Sequence, residues 1–156
     1  VKKIISIDNN QRMIDLAEHR TRGINNIKIK KEDALQMRFP DEMFDLVYDT
    51  YNLIGSLEEK DRQSLVIEMA RVTKKGGKVM NITWKNDKRT TEFLKRYYPA
   101  IDIEIFSIGD SGTVTSKGTF DRFTKKQLKK FYEKVGLKNI KFFDVGPVWM
   151  AIVCVK

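Results

Sequence analysis

The 156-residue chain has one cysteine, one histidine and three prolines. The single cysteine, Cys154, excludes an internal disulfide. Its place in the last apolar run, "WMAIVCV", reads as a small core residue rather than a nucleophile. The lone histidine, His19, falls on a polar stretch, so no His/Cys set for zinc exists and no metal site is expected. No apolar run approaches the roughly 20 residues that span a bilayer, so membrane contact is not expected. Acids and amides follow directly after "IISI", which is not a signal-peptide pattern. A reducing cytoplasm fits this cysteine usage. No internal repeat, low-complexity tract or Pro/Gly/Ser-rich linker divides the chain. Residues 1–156 therefore read as one domain with enough length for a real core.

What the chain does have is positive charge, +9 at neutral pH with a pI near 9.6. One reading is a basic face for RNA. The other is a lysine-rich, solvated surface. The lysines come in short scattered groups, "KIKKED", "TKKGGK" and "TKKQLKK", without an arginine–aromatic cluster. A small-molecule partner is the favoured expectation, and nucleic acid stands as the second.

The apolar pattern alternates between strand and helix periods. "KKIISID" reads as a short strand and "NQRMIDLAEHRTR" as a helix with Met13, Ile14, Leu16 and Ala17 on one side, stopped by Gly23. "NIKIKKED" alternates isoleucine with lysine, as an edge strand does. "MFDLVYDT" reads as a buried strand. "EEKDRQSLVIEMARVTKK" reads as a helix that turns Leu65, Ile67, Met69 and Val72 to the sheet and closes at Gly76–Gly77. "KVMNITW" is a further strand. "TKKQLKKFYEKVGL" is a helix capped by Thr124 and stopped at Gly136, and "NIKFFDVG" and "WMAIVCVK" form an antiparallel pair. The implied fold is α/β: a doubly wound, mostly parallel sheet with an antiparallel last strand. Residues 86–121 interrupt the alternation between a strand and its next helix. They hold an aromatic helix piece, "EFLKRYYP", a short apolar run, "DIEIFSI", and a Gly/Ser/Thr-rich turn region. Insertions of this length are usually functional or mobile.

Two acids stand where ligands bind in such sheets, at the carboxyl ends of strands. Asp8 ends the first strand, and a carboxylate there accepts both hydroxyls of a ribose; as a turn or capping acid it would serve the helix that begins at Asn9–Asn10. Asp33 follows the next strand in the same relative position, with the small Ala34 after it, a pair suited to the amine and ring of an adenine.

The ordered set "IISIDNNQRMIDLA", "KKEDALQMRFPDEMFDLVYDTYNLIGSL" and "VIEMARVTKKGGKVMNITW", closed by "RFTKKQLKKFYEKVGLKNIKFFDV", resembles the class I S-adenosylmethionine-dependent methyltransferases over nearly the whole chain. The resemblance implies a Rossmann-like fold, S-adenosylmethionine as cofactor and methyl transfer as activity. It implies cofactor contacts at Asp8 (ribose), Asn9 and Met13 (adenosyl group), Asp33 (adenine amine), Ala34 and Leu35, and at Thr50 beside the methionine part. Tyr51 and Asn52 follow Thr50 in the loop that faces the acceptor. "TYNLIGSL" is similar to a stretch shared by small-molecule and tRNA-modifying members, so it leaves the acceptor open. The insertion adds Tyr97 and Tyr98 as acceptor candidates; Trp84 and Arg122 are the favoured ones, with core packing as the other reading of each aromatic. No general base is compelling: Asp49 reads as a turn acid and His19 as exposed.

One element of the family pattern is absent. No E/D-x-G-x-G-x-G loop occurs in the 156 residues, and Gly76–Gly77 precede a strand. The resemblance therefore implies a first strand and glycine loop outside this sequence. That strand would lie between residues 2–8 and 44–49, so those two strands are expected not to pair with each other. A degenerate, non-catalytic scaffold of the same fold is the alternative that the absence favours, and the retained acids oppose it. An RNA methyltransferase is a third reading, motivated by charge.

Overall fold

The computed structural model describes residues 2–156. The first half contains β1 (Ile4–Asp8), α1 (Gln11–Arg20), β2 (Ile27–Lys31), β3 (Phe44–Asp49), α2 (Leu53–Ser56), α3 (Glu59–Val72) and β4 (Thr73–Trp84). The second half contains α4 (Lys88–Ala100), β5 (Ile105–Ile108), β6 (Gly112–Thr115), β7 (Gly118–Asp121), α5 (Lys125–Lys134), β8 (Lys138–Val145) and β9 (Trp149–Val155).

The Rossmann-like α/β expectation holds, with the sheet in two pieces. β1 and β2 pair in parallel, Ile4 opposite Ile27 through Asp8 opposite Lys31. A second sheet has the order β3–β4–β9–β8. Within it β3 and β4 are parallel, and the last strand, β9, runs antiparallel to both β4 and β8. β1 and β3 are not paired, as expected, and both line a cleft of about 440 Å³. Ile5, Ile7, Phe44 and Val47 bring apolar walls to it, and Leu65, Met69 and Val72 of α3 close its floor.

The main core lies where α3 and α5 cover the sheet. Leu65, Val66, Met69, Leu128 and Tyr132 pack against Val79, Ile152 and Cys154, all essentially without solvent contact. Three sequence expectations are corrected here. Ile67 points outward, 48% exposed, because the buried face of α3 runs through Leu65, Val66 and Met69. On α1 only Ile14 is buried, while Met13 and Leu16 are open, since α1 packs chiefly on the two narrow strands β1 and β2. β3 is half-open rather than buried: Leu46 and Tyr48 are about half-exposed where its edge meets the cleft.

Gly76–Gly77 do not close α3. The helix ends at Val72, whose successor Thr73 bonds Met69 O through its hydroxyl and begins β4. Gly76 holds a left-handed φ of +75°, and Gly77 lies so close to Asp45 O and Lys74 O that a side chain would collide. The glycines thus make the bulge that lets β4 meet β3, whose pairing jumps register between Phe44 and Leu46. The 86–121 insertion is ordered. α4 packs Leu94 and Tyr98 with Trp84 and Val148 into a second small core. The stretch expected to be turns is a hairpin, β6–β7, paired also with β5.

Candidate functional site

Asp8 and Asp33 come together at the carboxyl ends of neighbouring parallel strands. The Asp8 carboxylate accepts the Asn10 N–H at 2.8 Å, and Asp33 accepts the Leu35 N–H at 2.8 Å. Each acid thus fixes its own turn two residues ahead, which holds its orientation without another element. The N-cap of α1 is Asn10, whose side chain accepts from Arg12 N–H, so Asp8 is released from capping. Asp8, Ala34 and Thr50 line the cleft between β1 and β3. Asn9 and Asp33 line an adjoining hollow of about 350 Å³ with Lys31, Glu32, Gln36 and Arg38. Arg38 bridges to Glu32 at 3.0 Å, and this bond holds the Glu32 carboxyl below its usual range. Of the expected cofactor set, Met13 and Leu35 line neither space.

The loop after β3 is built on two consecutive left-handed residues, Tyr51 at φ +71° and Asn52 at φ +65°. Asn52 explains how this is held. Its side-chain oxygen accepts from the Thr83 hydroxyl and from Trp84 N–H, and its amide donates to Asp121 O. Asn52 is 1% exposed, and these bonds position the loop. Just before the loop, Asp49 is buried and accepts from the Asn81 amide of β4. Burial pushes the Asp49 carboxyl well above its usual range.

Aromatic rings gather beside this loop. Trp84 and Trp149, opposite each other in the β4–β9 pairing, stack with centroids 3.3 Å apart. Tyr51 leans on Trp149 at 5.6 Å, and its hydroxyl meets that of Tyr97 at 2.7 Å. Phe93 stacks on Tyr97 and contacts Trp84. The bond to Tyr51, with burial added, pushes the Tyr97 hydroxyl up to about 12. Trp84 and Tyr98 are themselves buried and form the floor; Tyr51 is 71% exposed. Arg122 is 1% exposed and bonds the Thr113 hydroxyl and Gly109 O, so it braces the inserted sheet and lies off the cleft. Its neighbour Asp121 pairs with Arg62 of α3, a further tie between insertion and core.

Phe93, Trp149, Thr83 and Asn81 are missing from the sequence-based set. Trp149 carried a readable signal: it opens the strand that pairs antiparallel with the one ending in Trp84. Asn81 and Thr83 alternate along β4 with Met80 and Ile82, and their inward direction follows from register alone. Cys154 is buried and its thiol is pushed up to about 12 by that burial, which fits a core residue. Among the described residues no cluster of three or more His, Cys, Asp or Glu side chains is placed to hold a metal, and no helix is long and apolar enough to cross a membrane.

A family profile described as a methyltransferase domain matches residues 1–77. The demethylmenaquinone methyltransferase of Staphylococcus saprophyticus is 25% identical over 147 residues, covering 89% of this chain and 61% of that protein. That of Lactobacillus johnsonii is 27% identical, covering 88% of this chain and 58% of that protein. The chain thus spans about three fifths of these relatives. Among solved structures, an S-adenosylmethionine-dependent methyltransferase from Methanosarcina mazei superimposes with a TM-score of 0.75 at 18% identity, over 99% of this chain and 82% of that one. The sheet order, the paired strand-end acids and these likenesses together make the chain similar to the class I S-adenosylmethionine-dependent methyltransferases, whose fold it shares.

Proposed function

We infer that the protein transfers a methyl group from S-adenosylmethionine to a small molecule. The observation that carries this reading is the pair Asp8 and Asp33, each oriented by a backbone N–H at the end of adjacent parallel strands beside a cleft. A nucleoside fits that arrangement: Asp8 would take the ribose hydroxyls, Asp33 the adenine amine, and Ala34 leaves room for the ring among the apolar walls. Bound S-adenosylmethionine supplies a methyl group on a sulfonium that is already an activated leaving group. The chain's own part is alignment. Thr50 stands at the cleft, and the Asn52 anchor fixes the loop that carries it. Fixing donor and acceptor in line supplies several kcal/mol of barrier lowering, so a strong base is not required. The curated relatives are named as demethylmenaquinone methyltransferases, which supports a small-molecule acceptor over RNA.

Calorimetry with S-adenosylhomocysteine tests the reading. Asp8→Ala removes two charge-assisted hydrogen bonds and is expected to cost about 2 kcal/mol, roughly thirtyfold in affinity. Unchanged affinity in that variant contradicts the ribose assignment, and no binding by the unsubstituted protein favours the scaffold reading.

A further inference from the structure

We propose that Asp49 is the counter-charge of the cleft, its unpartnered carboxyl oxygen receiving a positively charged group of the bound ligand, an ammonium or a sulfonium. The proposal deepens the methyltransferase reading above and rests on it. Asp49 ends β3 and lines the cleft between β1 and β3. The whole chain carries a charge of +9, yet no lysine, arginine or histidine lines that cleft, and its two ionisable side chains with a carboxyl are Asp8 and Asp49. Packing does not account for Asp49. It is 9% exposed and stands beside the apolar Leu53, Leu65 and Met69 in the cleft wall. Its Oδ2 accepts from the neutral Asn81 amide, while its Oδ1 has no hydrogen-bond partner among the described residues. Behind it, Asn81 Oδ1 and the Tyr132 hydroxyl are also buried without partners, so no group on β4 or α5 offers Asp49 a positive charge. A buried acid left this way costs stability that a neutral side chain would not. A cation entering the cleft supplies what the fold withholds.

The proton balance is simple. In the empty cleft burial holds the Asp49 carboxyl protonated well above its usual range, and the nearby Leu53 N–H opposes this only in part. When a positive group arrives, the carboxyl releases its proton to solvent and a carboxylate–cation pair forms; no other bond changes. The neighbours that titrate do not compete. Tyr132 on α5 and Cys154 on β9 are both pushed up by burial, the thiol to about 12, so both stay neutral at ordinary pH. Asp8, across the cleft on β1, adds a second negative charge that also favours a cation. Binding of a positive ligand therefore releases protons, and affinity rises with pH from the ordinary carboxylate value upward, until Asp49 ionises in the empty protein as well.

Three nucleosides separate the charges: 5′-methylthioadenosine has neither, S-adenosylhomocysteine has the ammonium, and S-adenosylmethionine has ammonium and sulfonium. Each is titrated calorimetrically at mildly acid pH into the protein and into Asp49→Asn, in buffers of different ionisation enthalpy. The unsubstituted protein is expected to release protons with a charged ligand and none with 5′-methylthioadenosine, and Asp49→Asn to abolish the release. Asp49→Asn is also expected to lose about tenfold in the preference for the charged ligand. A loss between S-adenosylhomocysteine and 5′-methylthioadenosine names the ammonium as the partner, and a loss between S-adenosylmethionine and S-adenosylhomocysteine names the sulfonium. The variant keeps the shape of the side chain; 5′-methylthioadenosine affinity within about twofold of the parent, with an unaltered near-ultraviolet spectrum, verifies its fold. Proton release that persists in Asp49→Asn, or both preferences unchanged, overturns the proposal while leaving the methyltransferase reading in place. Failure of all three nucleosides to bind the unsubstituted protein overturns that reading and the proposal with it.

Discussion

Asn52 holds its left-handed backbone through three hydrogen bonds that tie the loop after β3 to the end of β4 and to the inserted sheet. Asn52→Ala leaves the Thr83 hydroxyl, Trp84 N–H and Asp121 carbonyl without this partner, and urea denaturation is expected to show a loss of about 2–3 kcal/mol. Asn52→Gly relaxes the backbone but loses the same bonds, so it remains well below the parent. Asp49 gives a pH signature. An acid whose pKa is raised in the fold keeps its proton there more tightly than in the unfolded chain. Its contribution to stability therefore falls as pH rises from the ordinary carboxylate value upward. Asp49→Asn keeps a neutral acceptor for the Asn81 amide. The variant is expected to gain on the parent by about 1–2 kcal/mol between mildly acid and mildly alkaline pH. Parallel stability–pH curves for the two proteins contradict this. At this scale the sequence exposes Asp8 and Asp33, because an acid at or just after the end of a short strand is a local pattern. It does not expose the anchoring role of Asn52, because its partners Thr83 and Asp121 are distant in sequence and meet it only through the fold.

The elements tell a similar story. α2, missed in the sequence because it spans only Leu53–Ser56, presents Gly55 to the inserted sheet. A Cβ there would stand 2.3 Å from Asp121 O and 2.3 Å from the Asn52 amide nitrogen. Gly55→Ala is therefore expected to cost about 2 kcal/mol in denaturant unfolding and to weaken the near-ultraviolet signal of the two tryptophans. An unaltered midpoint would show that α2 shifts freely from β7. Helices and strands with strong periods were legible, and so were caps with a side-chain signal. Thr124 is one, and it closes a reciprocal capping box with Gln127. The β6–β7 hairpin was not legible. Its residues, "GTVTSKGTFD", carry threonines and glycines that read as turn chemistry, while Arg122 and the pairing with β5 make them strands. The end of α3 was misplaced for a related reason: the glycine pair that suggests a helix stop serves a bulge in β4 instead.

For the whole molecule, charge and sheet edges make the largest-scale predictions. The lysines of β2 lie at one side and those of α5 beside β8 at the other, while Lys74 and Lys75 pair with Asp45 and Glu42 near the start of β3, away from Asp8 and Thr50. Charges so dispersed are expected to give weak, nonspecific RNA association that modest added salt abolishes. Tight binding near physiological salt with a preference for one RNA contradicts this and promotes the RNA methyltransferase reading. The division of the sheet has a dynamic consequence. Amides on the cleft-facing edges of β1 and β3 have no strand partner among the described residues, so they are expected to exchange hydrogen much faster than those of β4 and β9, which are paired on both sides. The fold's parallel half and its antiparallel end were legible as alternation of periods, whereas the two-piece sheet followed only from the resemblance. The proposed role of Asp8 and Asp33 in holding the nucleoside is decided by a crystal structure with S-adenosylhomocysteine. The ribose hydroxyls are expected at about 2.6–2.9 Å from the Asp8 carboxylate, with the adenine amine at Asp33. A nucleoside bound elsewhere, with both acids still occupied only by their own turns, contradicts it.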